Sequence, residues 1–495
     1  MKHINILFVL LLAASAVSCK GFLNLSDPNA VTVGNYYQTE ADIEASVNGA
    51  YDVLKDGSFL GSSTFYYEDN KARMLIYPDT GVGGGENAQF DNCTVQSNNS
   101  YVLSRWNAIY KCIDRVNVAL KHLGDVTYSS EAKKSSIEAE LRFIRALSYY
   151  TLVSSYGAVP LVLEKLETLA AVNEANVRVD KDKVYSAIFD DCEFVVKSQL
   201  SDLQSAANCG RASKVAAMTL WAKAALQMAT DADYSNLKSN LCTTAITQLS
   251  SAWGKAPFAD FTKLDVTAAF DVASQTGAPE NIFQLDFIGG TNAANSSYNT
   301  SFRPTDIDDP TKEVNYSAAS GGEFMPFNTT LRIFDEAGDA RFDKLLAKGS
   351  HKGNETYYTL KYKDLDPSGY YGCNFIVFRY ADVALMLAEA YYHSGNAGEA
   401  QNWVNKVRAR AGLAGTSATG TALRDVIYKE RQREFCYEGK AWSDLKRGYS
   451  KAELKSLMAA DGATEYDDTD YLLPIPHTQY LLNPEGLYQN PGYTD

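Results

Sequence analysis

Glu434 and Glu438 stand four residues apart in IYKERQREFCYEGKAWSDLKR, residues 427–447 of the 495-residue chain. On a helix that spacing puts both carboxylates on one face, and two carboxylates across a cleft are the general acid and base of a glycosidase. Their neighbours argue against that chemistry. Arg431 and Arg433, with Glu430 and the interleaved Phe435 and Trp442, surround the couple with guanidiniums. Such neighbours hold carboxylates ionised, whereas a general acid needs a raised pKa. The pattern predicts a structural ion-pair network and no catalytic residues.

Other reactive patterns lead less far. The run Gly81-Val82-Gly83-Gly84-Gly85 lacks the Lys-Ser or Lys-Thr pair of a phosphate-binding loop. Histidines at 3, 122, 351, 393 and 477 build no metal or nucleophile motif, and neither metal nor cofactor is expected. Of eight cysteines, seven remain when Cys19 is set aside, an odd number without CxxC spacing, so at least one thiol is unpaired. Cys112, Cys192 and Cys436 fall within helical patterns, where a buried thiol acts as a small hydrophobe. A net charge of −14 argues against nucleic-acid partners, which need a basic surface.

Recognition chemistry is more evident. The chain holds 32 Tyr, 21 Phe and 5 Trp, and tyrosine is frequent in segments without helical pattern. A tyrosine ring offers a flat apolar face to the C–H face of a sugar and a hydroxyl to its edge. Candidate ligand-binding residues are Tyr66, Tyr67, Tyr77, Asp79, Asn99 and Tyr101 in one loop region, residues 56–101. A second region, 289–330, supplies Asn295, Tyr298, Arg303, Tyr316 and Phe324. The competing expectation is that these side chains pack the loops onto the helices beneath.

The elements that must carry these loops are helical. Residues 377–447 read as three helices. Asp382 is placed to cap the first and Gly395 to end it; Asn396 caps the second, whose Ala400, Val404, Val407 and Ala411 share a face, and Gly412 stops it. The first two helices form an αα-hairpin of tetratricopeptide type, with Ala388 and Ala390 facing Ala397 and Ala400. Thr39 and Asp42 suggest a capping box for a helix with Ile43, Val47, Ala50 and Leu54 on its face. Stripes at Trp106, Ile109, Ile113, Val116 and Leu120, and at Ile137, Leu141, Ile144 and Leu147, predict a helix pair. Two further helices are expected near Lys183 to Ser198 and Ala212 to Ala229. Pattern weakens from Asp231 to Phe375, where Glu280 to Leu285 alternates like a strand. The fold class is mainly α, a degenerate array of tetratricopeptide-like helix pairs with long loops and minor β-strands.

At the N-terminus, Lys2 and His3 precede an apolar run from Ile4 to Val17, too short to span a membrane, and Ala16-Val17-Ser18-Cys19 is a lipoprotein cleavage site. Residues 1–18 are read as a signal peptide and Cys19 as the lipidated residue, anchoring residues 19–495 as a single domain. Within it the expected parts are 19–230 and 377–495, both helical, and 231–376, loop-rich and facing ligand.

The segments RYADVALMLAEA, VNKVRARAGL, IYKERQREFCYEGKAWSDLKR and the closing LLPIPHTQYLLNPEGLYQNPGY resemble the SusD/RagB family, nutrient-binding surface lipoproteins of Bacteroidetes. Glu140, Arg142, Arg145, Tyr149 to Pro160, and Gly210-Arg211-Ala212 match further signatures. Lys20, Gly21 and Asn24 depart from the acidic residue that usually follows the cysteine. The resemblance implies a non-catalytic protein, anchored to the outer membrane and facing the cell surface. It would capture an oligo- or polysaccharide and deliver it to a SusC-like TonB-dependent transporter. Oligopeptide capture of the RagB kind is the alternative, and a glycoside hydrolase on a helical frame a third. The resemblance carries no binding residues over; it marks Arg379, Glu389, Arg408, Glu430, Arg431, Glu438 and Trp442 as fold determinants.

Overall fold

The computed structural model describes residues 36–76, 85–290, 295–302, 325–326, 332–351, 354–364, 366 and 369–493. The expected signal peptide, residues 1–18, and the expected lipidation site Cys19 lie outside them. Thr39 opens α1 (Glu40–Leu54) with the expected capping box, its side chain accepting from the Asp42 N–H while Asp42 accepts from the Thr39 N–H. There follow α2 (Ser100–Lys121), α3 (Glu131–Tyr156), α4 (Lys181–Lys197), α5 (Lys214–Ala229) and α6 (Lys238–Trp253). After a long excursion come α7 (Tyr380–His393), α8 (Ala397–Arg410), α9 (Gly420–Phe435), α10 (Ala441–Gly448) and α11 (Lys451–Ala460). Each helix from α1 to α8 packs on the next, including α6 on α7, so the array is continuous in space across residues 254–379. The stripes predicted by spacing are the buried faces, Leu120 alone being half-buried. One hydrophobic cluster runs from Ile43 in α1 to Leu487 near the C-terminus.

Four local expectations need correction. Residues 375–379 are a strand, and α7 starts only at Tyr380. Asp382 does not cap it: the cap position is Arg379, and Asp382 lies inside the first turn, its carboxylate fully buried and ion-paired to Arg431 at 2.7 Å. The predicted third helix is two, α9 and α10, broken where Tyr437 and Gly439 adopt φ +64° and +66°. A Cβ on Gly439 would stand 2.9 Å from Thr64 Cγ2, so both the turn and the close approach require glycine there. Finally, α6 was not anticipated, although Leu241, Ala245, Leu249 and Ala252 form its buried stripe.

The strands are short and paired antiparallel. β1 (Leu75–Ile76) pairs with β5 (Met325–Pro326), β2 (Val159–Pro160) with β3 (Arg178–Val179), and β6 (Leu346–His351) with β7 (Asn354–Thr359). β4 (Asn281–Leu285), the strand expected from alternation, pairs with β8 (Phe375–Arg379), which leads directly into α7. The C-terminal segment runs back over α2 and α3: the Leu473 N–H donates to Ser155 O at 2.8 Å and the His477 N–H to Ser97 O at 2.9 Å.

Candidate functional site

Glu434, near the end of α9, and Glu438, in the turn beyond it and so not on the same helix as the spacing predicts, sit in one ion-pair network. Glu434 accepts from Arg379 Nη1 at 2.5 Å, Arg341 Nη1 at 2.9 Å and Arg410 Nη2. Glu438 accepts from Arg379 Nε at 2.9 Å, Arg379 Nη2 at 2.8 Å and Lys361 Nζ at 2.6 Å. Glu280 closes the ring between Arg379 and Arg410 at 2.7 Å each. Burial by itself would raise both carboxyl pKa values; the surrounding cations overcome it, holding Glu434 well below the carboxylate range and Glu438 down to about 2. Arg431 bridges Asp382 and Asp444, and Arg447 bridges Asp444 and Glu389. Arg379, Glu389, Arg408, Glu430, Arg431, Glu438 and Trp442 are all buried. This centre has no room for substrate, and its carboxylates are locked ionised. It positions elements.

What it positions is the base of the loop regions. The left-handed turn between α9 and α10 offers the Gly439 N–H to Asp69 at 2.7 Å, and Ser443 donates from its N–H and hydroxyl to Glu68 at 2.8 and 2.7 Å. Tyr362 donates to the carbonyl of Tyr437 at 2.7 Å. Residues 59–70 are thereby fixed to the scaffold. The second loop region is fixed to the first. The Tyr298 hydroxyl donates to Leu60 O at 3.0 Å, Phe65 meets Phe302 edge-on at 4.8 Å, and β1 pairs with β5. Segments more than two hundred residues apart in sequence thus converge on one face.

The named candidates divide accordingly. Tyr66, Tyr67, Asn99 and Tyr298 are buried, and their contacts run within the loop base. Tyr66 packs edge-on to Tyr101 at 5.0 Å and stacks on Phe90 at 6.0 Å. Tyr67 donates to Tyr101 O at 2.8 Å beneath the Arg105 guanidinium, which lies 4.1 Å from its ring centre. Asn99 caps α2, accepting from the Tyr101 and Val102 N–H groups and donating to Glu86 O at 2.7 Å, which uses its amide fully. Tyr298 stacks on Phe375 at 5.2 Å. For the three tyrosines, ring-on-ring packing occupies the aromatic faces within the loop base. Tyr101 and Asn295 are half-buried, and the Asn295 Oδ1 has no hydrogen-bond partner. Tyr77, Asp79, Arg303, Tyr316 and Phe324 lie outside the described residues. The supports Phe65, Phe302 and Tyr362 were not foreseen; the signal for Phe65 was its place in the Phe-Tyr-Tyr run.

Among the described residues no cluster of His, Cys, Asp and Glu could hold a metal, and no helix is long and apolar enough to cross a membrane. The seven cysteines beyond Cys19 are free and buried, and burial pushes the Cys112 thiol up to about 12 and the Cys436 thiol to about 11.

Comparison with known proteins places this architecture. Residues 21–226 match the family described as "Starch-binding associating with outer membrane", and residues 343–493 match the SusD family. Two proteins of Formosa agariphila, SusD-like protein P2 and SusD-like protein P25, are 26% and 29% identical over the full length of both chains. Among solved structures, a "Laminarin binding SusD-like protein" is 26% identical with a TM-score of 0.75, covering 92% of this chain and 100% of its own. NanU of B. fragilis shares the fold at 22% identity and a TM-score of 0.77, over 95% of this chain and 100% of its own. The two parts of the chain thus match SusD-type family models, and its full-length relatives and structural neighbours are SusD-like proteins.

Proposed function

We propose that the protein captures an oligo- or polysaccharide at the face where the two loop regions converge and delivers it to a SusC-like TonB-dependent outer-membrane transporter. A lipid on Cys19 would hold it to the outer membrane, facing the cell surface. The observation that carries this reading is the convergence itself. Loops 56–101 and 289–330 are pinned to each other by β1–β5 pairing and the Tyr298–Leu60 hydrogen bond, over a scaffold stiffened by a buried ion-pair network. A rigid base beneath the loops suits selective capture, because less ordering entropy is lost on binding. The family description of starch binding at the outer membrane, and a relative at 26% identity named for laminarin binding, favour a glycan over a peptide.

On this reading the ligand-touching side chains are Tyr77, Asp79, Arg303, Tyr316 and Phe324, with Tyr101 and Asn295 at the rim, because their partners in the sequence-based set are consumed by packing. The test is calorimetric titration of the chain from residue 20 onward against laminarin, starch and other polysaccharides, their oligosaccharides, and a peptide panel. Saturable binding to one glycan class without release of shorter products supports capture. Binding confined to peptides moves the assignment to oligopeptide uptake, and hydrolysis overturns the non-catalytic reading.

A further inference from the structure

Beneath the loop base, where α3, α5 and β8 meet the start of α10, lies a cavity of about 60 Å³. Its wall includes Glu68, Arg105, Tyr150, Lys223, Glu438 and Lys440. That is room for a few water-sized guests, each needing ~10–15 Å³, and too little for a sugar or an oxyanion with its own hydration.

The polar groups of the wall are unevenly satisfied. Glu68 already accepts two hydrogen bonds from Ser443, and Glu438 is held by Arg379 and Lys361. The cations are less well met. The nearest carboxylate oxygen to Lys223 Nζ is Asp382 Oδ2 at 3.8 Å, beyond hydrogen-bond length. Lys440 Nζ reaches only Ile376 O at 3.3 Å and Glu438 at 3.6 Å, and burial pushes its pKa down. The Tyr150 hydroxyl, on a side chain over nine-tenths buried, has no partner. Three cationic side chains and two engaged carboxylates line the wall, with Asp382 behind Lys223 and a free hydroxyl donor beside them. Buried donors and cations in a dry interior need a counter-charge or acceptor.

We propose that this cavity binds a small monatomic anion of the chloride class, held by the ammonium groups of Lys223 and Lys440 and by the Tyr150 hydroxyl. The anion would tie α3, α5 and α10 together directly under the loop base, a structural ligand separate from captured glycan. The test uses crystals of the mature chain soaked in sodium bromide, with anomalous diffraction at the bromine edge. Thermal midpoints are compared in sodium chloride and sodium gluconate of equal ionic strength. The expected result is an anomalous peak in hydrogen-bonding reach of Lys223 Nζ and Tyr150 Oη, and a midpoint about 1–2 °C higher in chloride. Tyr150→Phe, which keeps the ring, should weaken the peak and at least halve the midpoint difference. Density in the cavity without anomalous signal, or a bromide peak unchanged in Tyr150→Phe, overturns the assignment.

Discussion

The stretch that carries Glu430 and Glu434 in α9 and Glu438 in the turn after it, and the loop base that carries Tyr66, Tyr67 and Tyr298, bury polar side chains by opposite means. Around α9 each carboxylate is matched by two or more cations with defined directions, and Arg379 alone contacts three glutamates. In the loop base the bulk of the contact is ring against ring, with single hydroxyl bonds from Tyr67 and Tyr298 to backbone carbonyls. The first region specifies one geometry, because any other arrangement strands a buried charge. The second fills space and tolerates exchange of one apolar shape for another.

The largest effect should come from breaking the directional region. Arg379→Met leaves Glu280, Glu434 and Glu438 short of their central cation and should cost about 3–5 kcal/mol in denaturant unfolding. Arg379→Lys should fail to restore it, since one ammonium cannot replace a fork that serves three carboxylates. Full stability in the lysine variant would sink the network argument. Next, Tyr298→Ala should cost about 3 kcal/mol through the cavity left against Phe65 and Phe375. Tyr298→Phe should cost only about 1 kcal/mol, the worth of the bond to Leu60 O. A Phe variant as damaged as the Ala variant would show that the loop base is directional after all.

Acid separates the two regions by sign. Glu438 is held near 2, below its unfolded value, so its contribution is complete above about pH 4.5 and is lost as pH falls toward 2. Asp69 behaves oppositely. Burial first, then Glu68, raises its pKa well above the usual value, so its carboxyl favours the fold when protonated and costs stability as pH rises past about 4. Glu438→Gln should therefore destabilise at pH 7 and flatten the acid limb. Asp69→Asn keeps an acceptor for the Gly439 N–H and should be at least as stable as the parent at pH 7. Urea midpoints of the three proteins from pH 3 to 8 read both signs.

Much of the scaffold was legible because period and caps are local. The Thr39–Asp42 box, the Asn396 cap and the Gly395 and Gly412 stops stand where spacing placed them. The misses are tertiary. Asp382 carries the right residue type for a cap, yet its partner Arg431 comes from another helix. The sequence of α6 hides an apolar stripe among Thr and Ser that suit loops as well as an exposed helix face. The break at Tyr437 was signalled only by Gly439, and its purpose, receiving Asp69 and Glu68, depends on residues about 370 positions away. For the site, residue type identified aromatic-rich loops but could not tell a ring that faces a ligand from one that faces another ring. Tyr66 and Tyr77 read alike in sequence, and only packing separates Tyr66 from the proposed set.

That separation gives the smallest expected change in stability and the sharpest test of the comparison. On the proposed reading, in which their rings serve the ligand, Tyr77→Ala and Tyr316→Ala should each leave the unfolding free energy within about 0.5 kcal/mol of the parent. Each should weaken glycan binding by about tenfold, the loss of one ring–sugar contact of about 1.4 kcal/mol. Tyr66→Phe, a change inside the loop base, should leave affinity within about twofold, because its hydroxyl is not offered to ligand. Calorimetric titration of the three variants against the glycan that binds the parent decides it. If Tyr66→Phe loses affinity while Tyr77→Ala and Tyr316→Ala keep it, the buried rings are the recognition surface, and the loop base opens on binding.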